Sequence, residues 1–149
     1  DGKKLVFEVK SKGRENDPGS GTHIGQMLLK AIDQNSIPSD LFRLLNNTMP
    51  EHSKNNPAQI SDYAYFCMQN LKSPFIEQLC TGSFNHFFEY YKPLWEKYKD
   101  PLVLGGSIAH FAAPLVKKAA NKHNIVIAKI IRKPIDALVC YYSGYNFKH

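Results

Sequence analysis

Two glycine-bearing segments hold the residues best suited to chemistry. The first is Leu102–Phe111, Leu-Val-Leu-Gly-Gly-Ser-Ile-Ala-His-Phe, where a short apolar run ends at Gly105-Gly106 and a helix pattern opens at Ser107. Two glycines at the carboxyl end of a buried strand remove the side chains that would hold a ligand off the backbone. The helix start beyond them offers unpaired N–H groups and a positive dipole end to an anion or to the edge of a purine. Ligands of open α/β sheets bind in crevices of this kind. The same residues also suit a tight connection with no ligand at all, and the short motif alone does not choose.

The second segment is Asn16-Asp17-Pro18-Gly19-Ser20-Gly21, just before the first long helix pattern. As plain structure, Asp-Pro-Gly is good turn chemistry, and Ser20 or Thr22 makes a serviceable N-cap. As a site, it is a carboxylate at a helix mouth between glycines that let a ligand come close. Such a carboxylate accepts hydrogen bonds from two sugar hydroxyls, which an apolar pocket cannot do.

Other reactive residues carry less. The six histidines, at 23, 52, 86, 110, 123 and 149, show no HExxH or HxH spacing, so no metal site is expected. His110 lies nearest the Gly105-Gly106 turn. Cys67, Cys80 and Cys140 are odd in number and lack metal-ligand spacing, which reads as buried thiols in a reducing cytoplasm. There is no Gly-x-Ser-x-Gly elbow, P-loop lysine motif or GxGxxG fingerprint.

The elements that must position these residues follow from length and pattern. At 149 residues, 43% apolar and 21% charged, the chain is expected to form one globular domain. No apolar run approaches a membrane span of roughly 20 residues. The net charge of +6 is dispersed, without a stripe of basic and aromatic residues, so no nucleic-acid partner is expected. Asp1-Gly2 signals a hairpin turn, followed by a strand, Lys3 to Lys10. A chain that opens on such a turn, without Met, is expected to be a fragment that starts inside a sheet.

Ile24, Met27, Leu28, Ala31 and Ile32 follow helical spacing. A short helix is expected over Ser39 to Leu45, capped by Ser39 with Leu41, Leu44 and Leu45 inward, and then a loop, Asn46 to Pro57. A helix pattern runs from Ile60 to Leu71. Ser73-Pro74 restarts it with an apolar stripe of Ile76, Leu79, Cys80, Phe84, Phe87, Phe88 and Tyr91, ending or kinking before Pro93. That stripe reads as core rather than as a ligand platform. Trp95 could belong to either.

The last third alternates strand Leu102 to Leu104, helix to about Asn121, strand Ile125 to Ile131 and helix Pro134 to Tyr142. Pro114 requires the first of these helices to start near Ala112 or to bend there. The near-continuous apolar strands suggest parallel pairing with both faces covered.

Taken together, the two glycine segments resemble the C-terminal half of the BadF/BadG-type ATPase family, and within it the N-acetylglucosamine kinase-like hexosamine kinases of the actin/hexokinase/Hsp70 superfamily. Asp1-Gly2-Lys3 resembles the turn after the family's second phosphate motif. Asn16-Asp17-Pro18-Gly19-Ser20-Gly21 with Ile24-Gly25 resembles the Gly-Asp-Glu-Gly-Ser-Gly segment and its helix. Gly105-Gly106-Ser107-Ile108-Ala109 resembles the adenosine motif, and Pro134-Ile135-Asp136-Ala137-Leu138 the closing Pro-x-x-Gly-Leu helix. Departures are Asn16 for Gly, Pro18 for Glu, Ala137 for a frequent Gly, and a turn between Gly13 and Asp17 that is one residue shorter.

The resemblance implies an α/β fold, the C-terminal lobe fragment of an RNase H-like (actin-like ATPase) protein. Residues 1–149 would be a single domain with residues 33–99 as an inserted helical segment. It implies transfer of the γ-phosphoryl of ATP, with Mg²⁺, to a hydroxyl of an amino sugar. Asp17, Gly19 and Ser20 would contact the sugar, and Gly105, Gly106 and Ser107 the nucleotide. The phosphate loops and catalytic base would come from an N-terminal lobe, so the fragment alone would be inactive, and kinases resembling this one are often homodimers. Rival readings are a non-catalytic sugar- or nucleotide-sensing module, suggested by Pro18, and an activator-type ATPase, for which no cluster-binding cysteine pair is present. A basic nucleic-acid binder is the third rival, and it predicts affinity that falls steeply with salt.

Overall fold

A computed structural model describes residues 17–49, 57–135 and 139. The expected hairpin at Asp1-Gly2, the strand Lys3–Lys10, Cys140, and most of the helix from Pro134 lie outside the described residues.

Five helices come first: α1 (Gly21–Asp33), α2 (Ser39–Thr48), α3 (Pro57–Gln69), α4 (Pro74–Tyr90) and α5 (Lys92–Lys97). Helix α1 starts where Ser20, in extended backbone, accepts the His23 amide on its Oγ at 3.1 Å. It buries Ile24, Gly25, Leu28 and Ala31 on one face, as the spacing predicts. Gly25 is there because α1 crosses α3 at backbone contact, and any side chain at 25 would run into the Ile60 carbonyl. After α1, Asn35 takes a left-handed φ of 51°, a conformation that asparagine tolerates at helix ends.

Helix α2 departs from its sequence pattern in three ways. Pro38, not Ser39, holds the N-cap position, and it makes no side-chain cap. Leu41 and Leu45 are buried, whereas Leu44 is exposed. The helix also continues through Asn46–Thr48, because the Thr48 hydroxyl donates to the Leu44 carbonyl at 2.6 Å and satisfies the last turn. Helix α3 begins at Pro57, three residues before the expected start.

Helix α4 is the spine of the molecule. Pro74 sits in its first turn, and it buries Ile76, Leu79, Cys80, Ser83, Phe84 and Phe88. It stops at Tyr90, just ahead of Pro93. Cys80 meets Cys67 of α3, and both are buried free thiols. The hydrogen bond between them, then burial, pushes the Cys67 thiol well above its ordinary value. Trp95 of α5 joins this core, its indole donating to the Phe88 carbonyl at 3.1 Å.

The α/β part has β1 (Leu102–Gly105), α6 (Ser107–Phe111), α7 (Ala113–Lys122) and β2 (Ile127–Ile131). The two strands pair in parallel, from Leu102 beside Ile127 to Gly105 beside Ile131. Pro114 has the effect expected of it. The helix breaks at Ala112, and α7 restarts with the proline in its first turn. Helix α7 packs its Val116, Ala119 and Ala120 face against α4.

The described residues test the expected cover on one sheet face. Leu102 and Leu104 pack on the core, but Val103 between them is 55% exposed. A strand turns alternate side chains to opposite faces, and among the described residues only one face has a helical cover.

Candidate functional site

The Asp17–Ser20 loop and the Gly105–Ser107 turn, more than eighty residues apart in sequence, line one cavity of about 390 Å³. Leu104, Ile108, Ala109 and Val116 complete the wall on the sheet side, and Phe84, Phe87 and Phe88 of α4, with Tyr91 at its C-cap, form the floor. The volume falls within the range of small-molecule sites.

Each wall owes its shape to glycine for a different reason. Gly19 has φ +78°, and a Cβ there would lie 3.1 Å from the Cβ of Phe87, so both conformation and space favour glycine. Gly105 is hemmed in by Pro134, whose ring would stand 3.0 Å from an added Cβ. That glycine answers a packing need. Gly106 differs: its φ is +129°, and an added Cβ would meet nothing within 4 Å. Its amide is already taken, donating to the Ile131 carbonyl at 2.9 Å as the end of the sheet ladder.

One expectation about this turn is corrected. Helix α6 is only five residues long, so the aligned peptide dipoles expected behind an anion at Ser107 are missing. His110 is exposed, packs edge-on to Phe111 at 5.6 Å, and does not line the cavity.

The loop's internal bonds are more telling. The Ser20 amide donates to the Asp17 carbonyl at 3.2 Å, closing the turn that the Asp-Pro-Gly chemistry predicted. The Gly19 amide donates to Ser83 Oγ at 3.2 Å, across to α4. Ser83 is fully buried, and its Oγ also lies 2.7 Å from His23 Nδ1. The His23 ring stands edge-on to His86 at 5.4 Å. Burial first, and then the neighbouring His86, hold the His23 imidazole below its usual value, which favours the neutral ring.

Among the described residues lining the cavity, Asp17 is the one that is charged, with Ser20, Ser107 and Tyr91 as further polar groups. Burial, then the Asp17 carboxylate, then Tyr90, raise the Tyr91 phenol above its usual value and keep it protonated. A described wall that offers the Asp17 carboxylate beside hydroxyl groups suits a ring bearing hydroxyls. Metal fits poorly. Among the described residues no three His, Cys, Asp or Glu side chains converge, and a Mg²⁺ shell built on carboxylates would find Asp17 alone in the cavity.

The aromatic stripe of α4, read from sequence as core, does two jobs. Ile76, Leu79, Cys80 and Phe88 are buried, while Phe87 and Tyr91 are part-exposed at the cavity. Phe87 meets Phe88 and Tyr91 edge-on at 5.1 Å each, so one aromatic sheaf is both core and floor. The sequence reading does not single out Ser83, and His23 stands there only as one of six scattered histidines. The one available signal was a small polar residue set beside Phe84 in an otherwise apolar stripe.

No known protein family and no curated protein matches the sequence. Among the solved structures that match the fold is a Porphyromonas gingivalis protein described as "Putative N-acetylglucosamine Kinase", with a TM-score of 0.80 at 19% identity. The superposition covers 97% of this chain and 55% of that one, so the chain spans about half the length of its structural neighbour. At this identity the likeness establishes the fold alone, an α/β arrangement of many helices with a small parallel sheet. No helix among the described residues is long and apolar enough to cross a membrane.

Proposed function

We propose that this chain is the sugar- and nucleotide-binding half of an ATP-dependent hexosamine kinase, an RNase H-like lobe with residues 33–99 as a helical insertion. The observation that carries the reading is the single cavity in which Asp17–Ser20 and Gly105–Ser107 face each other, on a backbone shared with the Porphyromonas gingivalis structure. In this reading Asp17 accepts hydrogen bonds from sugar hydroxyls, with Gly19 and Ser20 shaping the loop around them. Gly105, Gly106 and Ser107 form the wall against adenosine, where the side-chain-free face of Gly106 leaves open space for a planar ring.

The phosphate-binding loops, the metal shell and the base that takes the hydroxyl proton belong to the rest of the protein. That division agrees with the described lining of the cavity, in which Asp17 is the charged residue. Phosphoryl transfer depends on in-line positioning, so the 149 residues alone are expected to show no turnover.

A second reading, a sugar- or nucleotide-sensing module, is favoured by Pro18, which is buried and brings no charge to a cavity-lining position. One experiment separates the two. The whole protein is titrated with glucosamine, N-acetylglucosamine and ATP, and product formation is followed. Turnover that Asp17→Asn lowers by about a hundredfold, in the range seen when a positioning contact is lost, supports the kinase. Binding without turnover supports sensing, and the absence of binding to any of the three ligands overturns both.

A further inference from the structure

We propose that Ser83 and His23 are positioning residues for the Asp17–Ser20 loop. Ser83 Oγ accepts the Gly19 amide and donates its own proton to His23 Nδ1, which locks the loop against α4 with Asp17 at the cavity. The proposal rests on the sugar-binding reading of that loop and adds to it the device that holds the loop in place.

The argument starts from the inventory of one hydroxyl. A serine has one proton to give and two lone pairs to receive. The Gly19 amide can only donate, so at 3.2 Å it takes one lone pair of Ser83 Oγ. The serine proton must then go elsewhere, and Ser83 is fully buried, with no access to water. His23 Nδ1, at 2.7 Å, is the other polar atom bonded to Oγ among the described residues. If Nδ1 carried a proton, two donors would point at Oγ and the serine proton would be left without a partner in a buried site, a costly arrangement. The satisfied state has a neutral imidazole with its proton on Nε2 and an unprotonated Nδ1 facing the serine.

The chain of three is placed where it matters. His23 lies in the first turn of α1, and its own amide is capped by Ser20, the last residue of the loop. Gly19 is confined on its other side by Phe87, which stands where a Cβ would need to be. The loop is thus held by a hydrogen bond from below and a ring from the side, both from α4. Ser83 is not needed to fill a void, since an alanine would serve that purpose in a helix at less cost. A buried hydroxyl that bonds a loop 64 residues away is better explained by the loop it holds.

The test uses ring and amide signals of the unliganded protein, followed by sugar titration. ¹⁵N shifts of His23 are expected to show Nδ1 unprotonated and Nε2 protonated in the neutral form, and a protonated Nδ1 overturns the proposal. Ser83→Ala is expected to speed hydrogen exchange at the Gly19 amide about tenfold, the loss of one modest hydrogen bond, with the Leu28 and Phe88 amides unchanged. His23→Asn puts an acceptor near the place of Nδ1 and is expected to keep Gly19 protected, whereas His23→Leu is not. Equal exchange at Gly19 in the parent protein and in all three variants overturns the proposal. Should Ser83→Ala unfold the protein, the tautomer and the His23 pair still decide.

With N-acetylglucosamine as probe, His23→Leu is expected to weaken binding about tenfold and His23→Asn about twofold. If the parent protein does not bind the sugar at all, the reading of the site fails, while the exchange result still answers whether Ser83 and His23 hold the loop.

Discussion

On the helical side of the molecule, Leu28, Cys67, Cys80 and Phe88 have no exposed surface, whereas Val103 in the middle of β1 is 55% exposed. Helices α1, α3 and α4 bury their apolar faces against one another. The two strands have a helical cover on one face among the described residues, and Val103 marks the other. Among the described residues the helical body therefore carries most of the burial that opposes chain entropy, and the sheet presents the Gly105–Ser107 turn above α4. The cavity lies on the seam between the two. Its floor is rigid because it is the top of the core.

That contrast can be tested at four strengths. Phe88→Ala should cost most, about 4 kcal/mol, because the ring is fully buried and lies under both the cavity and the Trp95 cluster; denaturant unfolding measures it. A loss under about 1 kcal/mol would mean that the helical body is not the main source of stability. Gly25→Ala follows at about 3 kcal/mol, since the added methyl meets the Ile60 backbone and α1 and α3 must separate. Its unfolding midpoint in urea should drop with little change in slope.

The third effect is smaller and concerns the seam. Because burial and His86 lower the proton affinity of His23 in the folded protein, the unfolded chain binds the proton more readily. Stability then rises with pH across the window from the lowered folded value up to the ordinary 6.5. The His23 contribution is complete above that window and is lost as the pH falls through it. Unfolding curves between neutral pH and about pH 5 should show this slope, reduced in His23→Asn. An unchanged slope would place the histidine in solvent. Last, Val103→Thr should change stability by no more than about 0.5 kcal/mol, as for an exposed position, and a large loss would show that the open sheet face is covered in solution.

Much of the fold was legible in the sequence. The 3.6-residue spacing of Ile24, Leu28 and Ala31 placed α1, and Ser73-Pro74 placed the start of α4, because N-terminal chemistry and buried faces are local properties. Pro114 split the helix after β1 for an equally local reason. What failed did so where distant partners decide. Leu44 fits a helical stripe, yet it is exposed because none of the described residues covers that part of α2. Val103 belongs to an apolar run, and its burial depends on a second layer that the described residues do not supply.

The site divides in the same way. By itself the sequence determined the two glycine segments, the turn at Asp17–Ser20 and the N-cap that follows it, since each depends on φ preferences and on bonds spanning three or four residues. Only the tertiary structure decided that the segments share a cavity and that Gly105 answers to Pro134 while Gly106 faces open space. It also decided that half of an aromatic stripe is floor rather than core, and that a buried serine holds the loop. A hydrogen bond or a contact across 64 residues has no local signature, because its energy depends on a geometry that exists only once α4 has packed beneath both walls.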